Sequence, residues 1–548
     1  MPYSKSPTVS TYETKRVDFV INPMQRSGSL LNKDAKLVNM MVEVVETPNN
    51  TNQRIFVKSR PGLALAYATT AGEGRGCYYW VVSGVGYVIS VVGNKVYSNG
   101  NLLQTITTST GPCGFTEHVS STGTDTLVML DGTKGYVFTL PTAAGTAIDD
   151  TAETAWTTIT PIALNARRRP TVANGYIYTA TVAGTTGVPQ PTWPTTVGAT
   201  VVDGTVTWTC GICAFPTPHI PMPIFMDGYL FVAKANTQDI YNSDLDNPAL
   251  WTPGDYISAE MYPDKIVALS KNNNYVYAVG SNSVEYFYDA GVASGSPLAR
   301  YDSAVQQFGT VAPATVVQTE KEVIMIGETG NGGHTVWTID GFKETEIGTP
   351  AIRSVLRAEG AALANAVAHC TRVSGQKLYI INLTINTLVY SFDTKMWSYW
   401  NSGPGGTLAF VGKWGTDGPN GQAYIQHATD GDIYTISEDN HIDHDVAFRC
   451  RVQTPKYDFD TFNMKFMSRF TLIGDIPDSA GAGNIVQISW SDDDYQTWTT
   501  NRDLSFDYDF PCIAQLGRFR RRAFRVDYSQ PYLLRLEAFE VDINKGNQ

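Results

Sequence analysis

Two cysteines three residues apart are the first side chains in this sequence that could bind a metal or carry out redox chemistry. Cys210-Gly-Ile-Cys213 has the spacing of half a zinc knuckle or of a redox pair. A structural zinc site needs a second ligand pair, and His219 is the only spare ligand nearby in the sequence. A redox pair usually opens a helix, whereas this one ends a predicted strand and runs into Phe215-Pro-Thr-Pro. We therefore predict two free thiols.

A second possible metal site lies where the repeated part of the sequence ends. His441-Ile-Asp443-His444 is flanked by Asp439 and Asp445, the densest group of potential ligands in the chain. A polar linker between two domains has the same composition. We favour the linker over the metal site and predict no cofactor.

The motifs of common enzyme and ion-binding sites are incomplete. Asn242 to Asp246 begins like a calcium loop, but Asn247 stands where a glycine is required and Pro253 where a glutamate is required. The glycine-rich segment 327–333 joins two predicted strands and has no helix N-terminus to receive a phosphate. G-x-S-x-G, H-E-x-x-H and Walker motifs are missing. The carboxylates are dispersed rather than paired for glycoside hydrolysis, so we expect no enzymatic activity and assign no catalytic residue.

One acidic motif has a structural interpretation. Ser491-Asp-Asp-Asp-Tyr-Gln-Thr-Trp498 resembles the Asp-box, S-x-D-x-G-x-T-W, with Tyr495 in place of the glycine. In sialidase-like propellers this box holds a hairpin together and is not catalytic. A sialidase also has an early Arg-Ile-Pro motif, which is missing here. The motif therefore predicts a hairpin.

The strongest basic run, Arg518-Phe-Arg-Arg-Arg-Ala-Phe-Arg525, is interleaved with aromatic residues, as in surfaces that contact nucleic acid or acidic proteins. On a single strand, Arg518, Arg520 and Arg522 share one face, and Arg521 and Arg525 share the other. We predict that these five arginines form a subunit or partner interface, and rank DNA contact below it. The alternative is pairing within the chain to the local carboxylates Asp503, Asp507, Asp509 and Asp527.

Composition sets limits on all of these sites. The 548 residues are 43% hydrophobic and 11% aromatic, which allows a large core and excludes a disordered protein. Lys and Arg total 40 against 52 Asp and Glu, so the formal net charge of −12 argues against tight, non-specific binding to phosphates. Seven cysteines at scattered spacing predict free thiols, and the N-terminus predicts no secretory signal.

The elements that must position these residues are short strands in a repeated pattern. Hairpins with β-branched and aromatic residues around a short turn start at Tyr87, Leu127, Tyr229, Tyr275, Val323, Leu378 and Ala423. Most successive starts lie roughly 40–55 residues apart, which is typical of β-propeller blades. We predict an all-β fold with a propeller of six or seven blades, because one hairpin could belong to a neighbouring domain.

Other segments flank or interrupt the repeat. The gap between the second and third hairpins predicts an inserted small β module, in which Asp203-Gly204 forms a tight turn. The one helical pattern runs from Ala351 to about Cys370 and is weakened by Gly360. The predicted units are an extended N-terminal platform segment 1–70, propeller blades 71–150, the inserted module 151–222, the remaining blades 223–440 and a C-terminal β-sandwich-like platform domain 441–548.

Several weak motifs occur in an order that resembles one protein family. They are Asp227-Gly-Tyr-Leu-Phe, Gln307-Phe-Gly-Thr-Val-Ala-Pro313, Glu346-Ile-Gly-Thr-Pro-Ala-Ile-Arg353, the Ser491–Trp498 motif and Leu516-Gly-Arg-Phe-Arg-Arg-Arg522. Together they resemble the packaged-DNA stabilisation, or tail-nozzle (tubular tail), proteins of short-tailed bacteriophages from about residue 60 to 540. The insert is outside this pattern and looks like an addition of one lineage.

The resemblance implies a structural virion protein, located in the phage tail and in the host cytoplasm during assembly. Copies would form a homo-oligomeric ring, expected to be a hexamer, below the portal and adaptor rings. The ring would retain the packaged double-stranded DNA and form the conduit for its ejection. Tail fibres or spikes would dock around it, and its distal end would meet the host outer surface. The alternative is a propeller-based receptor-binding (lectin) or glycan-processing tail protein, because fold alone does not fix function.

Overall fold

The computed structural model describes residues 12–19, 35–45, 54–292, 295–328, 332–476, 483–507 and 510–546. Three predictions fall at least partly outside these ranges: the absence of a signal in the first residues, the middle of the glycine-rich turn at 329–331, and the alternative pairing of the basic run with Asp509. The described residues are mostly strands, with one α-helix, so the predicted all-β class is confirmed.

Six four-stranded antiparallel sheets, together with four antiparallel strands of a ten-stranded sheet, form the seven blades of a β-propeller. All seven predicted hairpins belong to it, each supplying the second and third strands of one blade. The strands of blade 1 are Gly74–Val82, Val85–Val92, Lys95–Ser98 and Asn101–Thr105. Those of blade 2 are Gly114–Val119, Asp125–Leu130, Gly135–Phe138 and Thr146–Ala147. Those of blade 3 are Ile224–Met226, Tyr229–Ala233, Asp239–Asn242 and Tyr256–Ser258. Those of blade 4 are Ile266–Asn272, Tyr275–Gly280, Val284–Asp289 and Leu298–Gln306. Those of blade 5 are Val317–Gln318, Val323–Glu328, His334–Asp340 and Lys343–Glu346. Those of blade 6 are Val367–Val373, Gln376–Asn382, Thr387–Ser391 and Met396–Ser402, and the short strand Leu408–Ala409 pairs with the last of them.

Blade 7 is completed by the other end of the chain. Gly412–Asp417, Ala423–His427 and Ile433–Ser437 form three of its strands, and Gly62–Tyr67 pairs antiparallel with the third. Polar contacts then connect blade 7 to blade 1: Gln426 is fully buried, accepts from the Gly76 amide at 3.0 Å and donates to the Val91 carbonyl at 3.0 Å. The propeller is thus closed by residues that are distant in sequence.

The segment Gln307–Pro313, which no strand pattern explains, connects blades 4 and 5. Gly309 lies so close to blade 4 that a Cβ atom there would be 2.3 Å from the Gly280 carbonyl oxygen. Thr310 donates its amide to that same carbonyl at 3.0 Å, and Phe308 stacks on Trp337 with ring centroids 4.7 Å apart. The sequence of this segment therefore follows from close packing between two blades.

The single helix, α1, covers Pro350–Glu359 and is shorter than predicted. Thr349 caps its N-terminus, and Gly360, with φ of 54°, ends it. A 3-10 turn, Gly360–Asn365, then leads into the strand Val367–Val373, so the predicted extension to Cys370 is wrong. Ile352, Val355 and Leu356 pack between blades 5 and 6. The other 3-10 turns are Asp150–Ala152, Pro313–Thr315 and Pro419–Gly421.

The insert is a small β module with its own core. Its strands are Pro161–Ile162, Arg167–Arg168, Ile177–Val182, Gly184–Thr185, Thr200–Asp203 and Val206–Gly211. The Asp203-Gly204 turn is present, and the buried Asp203 carboxylate accepts from the indoles of Trp156 at 2.7 Å and Trp208 at 3.0 Å. Arg167 ties the module to blade 3 through the Asp244 carboxylate and the Trp251 carbonyl, both at 3.0 Å.

The C-terminal β-sandwich uses strands from both ends of the chain. Its first sheet contains Glu13–Asp18, Met40–Val45, Arg54–Ser59, Lys465–Asp475, Cys512–Phe519 and Arg535–Lys545. Its second contains Lys36–Val38, Cys450–Gln453, Ile485–Ser491, Arg502–Ser505 and Ala523–Tyr528. The strand Lys36–Val38 also pairs in parallel with the last strand of blade 6, so this sheet runs on into the propeller. The segment predicted as 1–70 therefore contributes strands to the sandwich and to blade 7.

A buried ion pair joins the sandwich to the propeller. Arg60 is fully buried and forms two bonds with Asp443, of 2.8 and 2.6 Å. Its remaining N–H groups donate to the Asn39 side chain and to the carbonyls of Pro61 and Asn401, so all five donors are used. The guanidinium also lies 3.8 Å from the centroid of the Phe448 ring. This joint, made by Arg60, Asp443 and Asn39, fixes the sandwich relative to blades 6 and 7.

Candidate interaction surface

The basic run forms a corner of the sandwich and not a single strand. The strand Cys512–Phe519 lies in the first sheet and Ala523–Tyr528 in the second, so the chain crosses between the sheets at residues 520–522. The predicted division of the arginines between two faces of one strand is therefore wrong. The physical reason is that Phe519 and Phe524 both point into the sandwich core, which requires the chain to turn over its edge.

Arg522 belongs to the interior. Its side chain is 1% exposed and forms a bidentate pair with Asp492, both bonds 2.8 Å long, and it donates to the Leu516 carbonyl at 2.9 Å. The guanidinium lies 4.4 Å from the centroid of the Phe519 ring. Arg522 therefore supports the corner and is not available to another molecule.

Arg525 is half-buried and lies flat against an aromatic ring. Its guanidinium is 3.7 Å from the centroid of Trp498, and it donates to the Gln453 side chain at 3.3 Å. Burial, with the nearby cation Arg451, lowers the pKa of Arg525 to about 10.

The other three arginines remain exposed and lie beside exposed aromatic rings. Arg520 and Arg521 approach the Phe462 ring, with centroid distances of 5.8 and 5.6 Å, and Arg520 donates to the Phe462 carbonyl at 2.9 Å. Arg518 is the cross-strand neighbour of Phe466. Phe462 and Phe466 are 60% and 52% exposed. We call these five residues the Arg–Phe patch; arginines and aromatic rings together are typical of protein interfaces.

The two phenylalanines were missed in the sequence. Thr461-Phe-Asn-Met-Lys-Phe466 places aromatic residues among polar ones, which a strand pattern assigns to the core. The side chain of Lys465 points into the sandwich instead. Its fully buried ammonium donates to the carbonyls of Thr461 and Asn463 and lies over the Phe519 ring. The aromatic pair comes close to the basic run only because the strands Lys465–Asp475 and Cys512–Phe519 pair. The sequence alone does not specify that pairing.

The Asp-box-like motif supports this corner. Asp493 accepts from the Thr497 hydroxyl at 2.5 Å, from the Thr497 amide at 2.9 Å and from the Ser491 hydroxyl at 2.8 Å, and these bonds lower the pKa of Asp493 to about 2. Tyr495, in place of the usual glycine, adopts φ of 65°. The motif also supplies Asp492, the partner of Arg522, and Trp498, on which Arg525 lies. It acts as scaffolding for the basic run.

The residues of the two candidate metal sites make other contacts within the fold. Cys210 packs in the core of the insert, Cys213 borders blade 2, and burial raises the pKa of both thiols. Asp443 is bound by Arg60, while His441 is partly buried and His444 is half exposed. Across the described ranges, no three His, Cys, Asp or Glu side chains come together as a possible metal site.

The propeller axis contains a cavity of about 560 Å³, which adjoins a second cavity of about 580 Å³ between blades 6 and 7. Both are bordered by Glu73 and Lys413, which form an ion pair of 2.9 Å. Residues that line the axial cavity come from the start of every blade: Arg75, Pro112, Pro221, Val267, Pro313, Val367 and Trp414. No helix among the described residues is long and apolar enough to cross a membrane.

The geometry defines a seven-bladed β-propeller with an attached sandwich that exposes three arginines beside two phenylalanine rings. A family model described as the bacteriophage P22 Gp10 β-propeller matches residues 32–439. Because the match covers well over half of the chain, the chain belongs to this family of phage packaged-DNA stabilisation proteins, and the resemblance found in the sequence is confirmed. It is a phage structural protein, and its place is the virion.

Three solved structures to which this chain is similar have very low sequence identity to it. The N-terminal domain of Nup159 is 8% identical with a TM-score of 0.32, covering 71% of this chain and 97% of its own. The Cps50 (Swd1) β-propeller domain of Myceliophteria thermophila is 6% identical with a TM-score of 0.28, at 68% and 100% coverage. The dihydro-heme d1 dehydrogenase NirN is 9% identical with a TM-score of 0.30, at 84% and 79% coverage. A search of curated proteins gives no match.

Proposed function

We propose that copies of this chain form the tail-nozzle ring, expected to be a hexamer, below the portal and adaptor rings of a phage. The ring retains packaged double-stranded DNA and forms the conduit for its ejection. Tail fibres or spikes dock around it, and its distal end meets the host surface. The observation that carries this proposal is the family match over residues 32–439.

The size of the axial cavity and of the cavity that adjoins it supports a lumen between copies as the path of the DNA. Cavities of about 580 and 560 Å³ have the size of small-molecule pockets. The ion pair of Glu73 with Lys413 further restricts them. A duplex would therefore run through the centre of the ring and not through any one propeller.

The charge of the chain fits passage better than retention by tight grip. A protein that neutralises many phosphates releases counterions and binds DNA strongly. The net charge of −12 argues against that kind of tight binding. In this proposal, retention comes from the ring as a physical closure of the tail.

We further propose that this role requires no catalysis. The polar motifs that could carry chemistry have partners within the fold, such as Asp443 with Arg60 and Asp493 with Thr497. The glycan-binding alternative would be favoured by exposed aromatic rings in the insert. Trp208 and Tyr178 are instead fully buried, and Trp193 packs against both.

The test is addition of the purified full-length chain to a purified portal–adaptor complex, followed by negative-stain microscopy and a nuclease-protection assay on DNA-filled heads. We expect an added ring at the tail vertex and protected DNA. Heads that keep their DNA equally well without the chain, or that never bind it, would contradict the proposal. A glycan array with the same preparation tests the alternative, for which a specific signal is required.

A further inference from the structure

A small pocket at the boundary between the sandwich and blade 6 is lined by cations. Its volume is about 210 Å³, and it lies between the last strand of blade 6 and the second sheet of the sandwich. Lys36, Arg449 and Arg451 line it on the side of the sandwich. Asn386 and Asn401 line it on the side of blade 6. The pocket therefore presents positive charge and amide groups to a single enclosed space.

The strand pairing brings these cations together on one face. Arg449 and Arg451 are two residues apart and point to the same side of the second sheet, whereas Cys450 between them points into the core. Lys36 comes from the strand on one side and Arg525 from the strand on the other. Each lies two residues from the register partner of Arg451 in its own strand, so all four cations share the outer face of the sheet.

Within the described part of the chain, one carboxylate offsets these four cations. Asp527 forms a bidentate pair with Arg451, with bonds of 2.6 and 2.7 Å. Lys36 has no hydrogen-bond or ion-pair partner among the described residues, and burial with the nearby cations Arg451 and Arg525 lowers the pKa of Lys36 to about 8. Burial and Arg451 also lower the pKa of Arg449. Uncompensated charges in a partly buried place cost free energy unless an anion joins them.

We propose that this pocket binds one inorganic phosphate ion. Phosphate presents oxygens on all sides, so it can accept from the Lys36 ammonium and from the guanidinium groups of Arg449 and Arg451 together. The volume of about 210 Å³ is below the roughly 300–1,000 Å³ of sites that hold drug-sized ligands, and it suits a small anion with a few waters. Because the chain as a whole has a net charge of −12, the pocket is a local exception and not part of a basic surface.

A bound phosphate would stabilise the boundary between the sandwich and the propeller. Asn401 lines the pocket and also belongs to the joint around Arg60, because its carbonyl accepts from Arg60 at 3.1 Å and its side chain accepts from Asn39 at 2.6 Å. Arg449 donates to the Gly405 carbonyl in the loop that follows the last long strand of blade 6. One anion would thus connect groups from both regions of the molecule.

The experiment uses the purified full-length chain in chloride buffer at pH 7 and constant ionic strength. Isothermal titration calorimetry with inorganic phosphate measures the affinity, and melting temperatures with and without phosphate measure the gain in stability. The test variants are Lys36→Met, which keeps the aliphatic stem, and Arg449→Gln, which keeps a donor for the Gly405 carbonyl. The control is Lys134→Met, at an exposed lysine of blade 2. Acetate and a short DNA duplex, each offered in place of phosphate, identify the class of anion.

We expect one phosphate per chain, a melting temperature that rises with phosphate concentration, and binding weakened about tenfold or more by each test variant but not by the control. Because Lys36 loses no partner among the described residues, Lys36→Met should melt no lower than the parent in chloride alone. A Lys36→Met chain that melts lower by the same amount in both buffers would show a purely structural lysine and overturn the proposal. A parent chain that binds no phosphate, or that binds acetate or duplex DNA at least as tightly, would overturn it as well.

Discussion

The propeller and the sandwich differ in where their strands come from. Each of blades 1 to 6 is one short stretch of chain in which every strand pairs with the next. The sandwich combines strands from residues 13–59 with strands from residues 450–545. The difference shows that local sequence specifies a blade, whereas the sandwich depends on contacts between distant residues, such as the pairing of Glu13–Asp18 with Arg535–Lys545.

The largest effect is expected at the joint between the two regions. Removing one partner of a buried ion pair leaves the other charge unpaired, so Arg60→Ala should cost about 3–5 kcal/mol of stability. We expect calorimetry to show two separate transitions, because the sandwich and the propeller would no longer unfold together. The exposed Arg54→Ala is the control and should stay within about 0.5 kcal/mol.

A double variant sharpens this result. Replacing a buried pair by apolar residues of similar volume is often neutral. Arg60→Met with Asp443→Leu should therefore recover much of the stability lost in Arg60→Ala. No recovery would indicate that the bonds to Asn39 and Asn401 matter more than the charge of the pair.

Within the propeller, the connection between blades 4 and 5 is expected to be sensitive to an added methyl group. A Cβ atom at Gly309 would meet backbone atoms of Gly280 and Ser281 at 2.3 Å, so Gly309→Ala should cost about 1–3 kcal/mol in urea unfolding. Gly405→Ala, whose nearest neighbour would be 3.5 Å away, is the matched control. Equal effects of the two variants would contradict the close-packing explanation.

A smaller effect is expected in the sandwich hairpin, and it depends on pH. The pKa of Asp493 is lowered to about 2 from its ordinary 3.8, so its stabilising bonds are complete above pH 3.8 and are lost as the pH falls through 2. Asp493→Asn should lower the melting temperature at pH 7 and reduce its decline between pH 4 and 2. The matched exposed substitution Asp503→Asn should leave that decline unchanged.

The smallest effect is expected for removal of the insert. Phe215 packs on Trp251 of blade 3 with ring centroids 5.1 Å apart, so a deletion that extends to residue 221 would damage the propeller. Deleting 154–212 with a short Gly/Ser linker removes only the module with its own core. The melting temperature of the remainder should be nearly unchanged, and aggregation would show that the module is needed for blades 2 and 3.

The difference between local blades and a sandwich of distant strands also decides how much of the fold could be predicted from the sequence. Hairpins starting at residues such as Tyr229 and Tyr275 were visible because each blade is local and periodic. The partner of Gly62–Tyr67 could not be predicted, because nothing within one strand specifies a partner hundreds of residues away. For the same reason, the basic run was wrongly predicted to form one strand, and Arg522 was predicted to belong to an interface although Asp492 holds it in the interior.

The closure of the fold by the N-terminal strands has a consequence for synthesis on the ribosome. Ala64 emerges 371 residues before its partner Thr435, and Thr14 emerges 528 residues before Asp542. At about 5–20 residues per second, the N-terminal strands wait roughly 20–100 s with unpaired edges. Glu13–Asp18, which waits longest, has the sequence Glu-Thr-Lys-Arg-Val-Asp, and such charges discourage pairing with the wrong strand while the rest of the chain is being made.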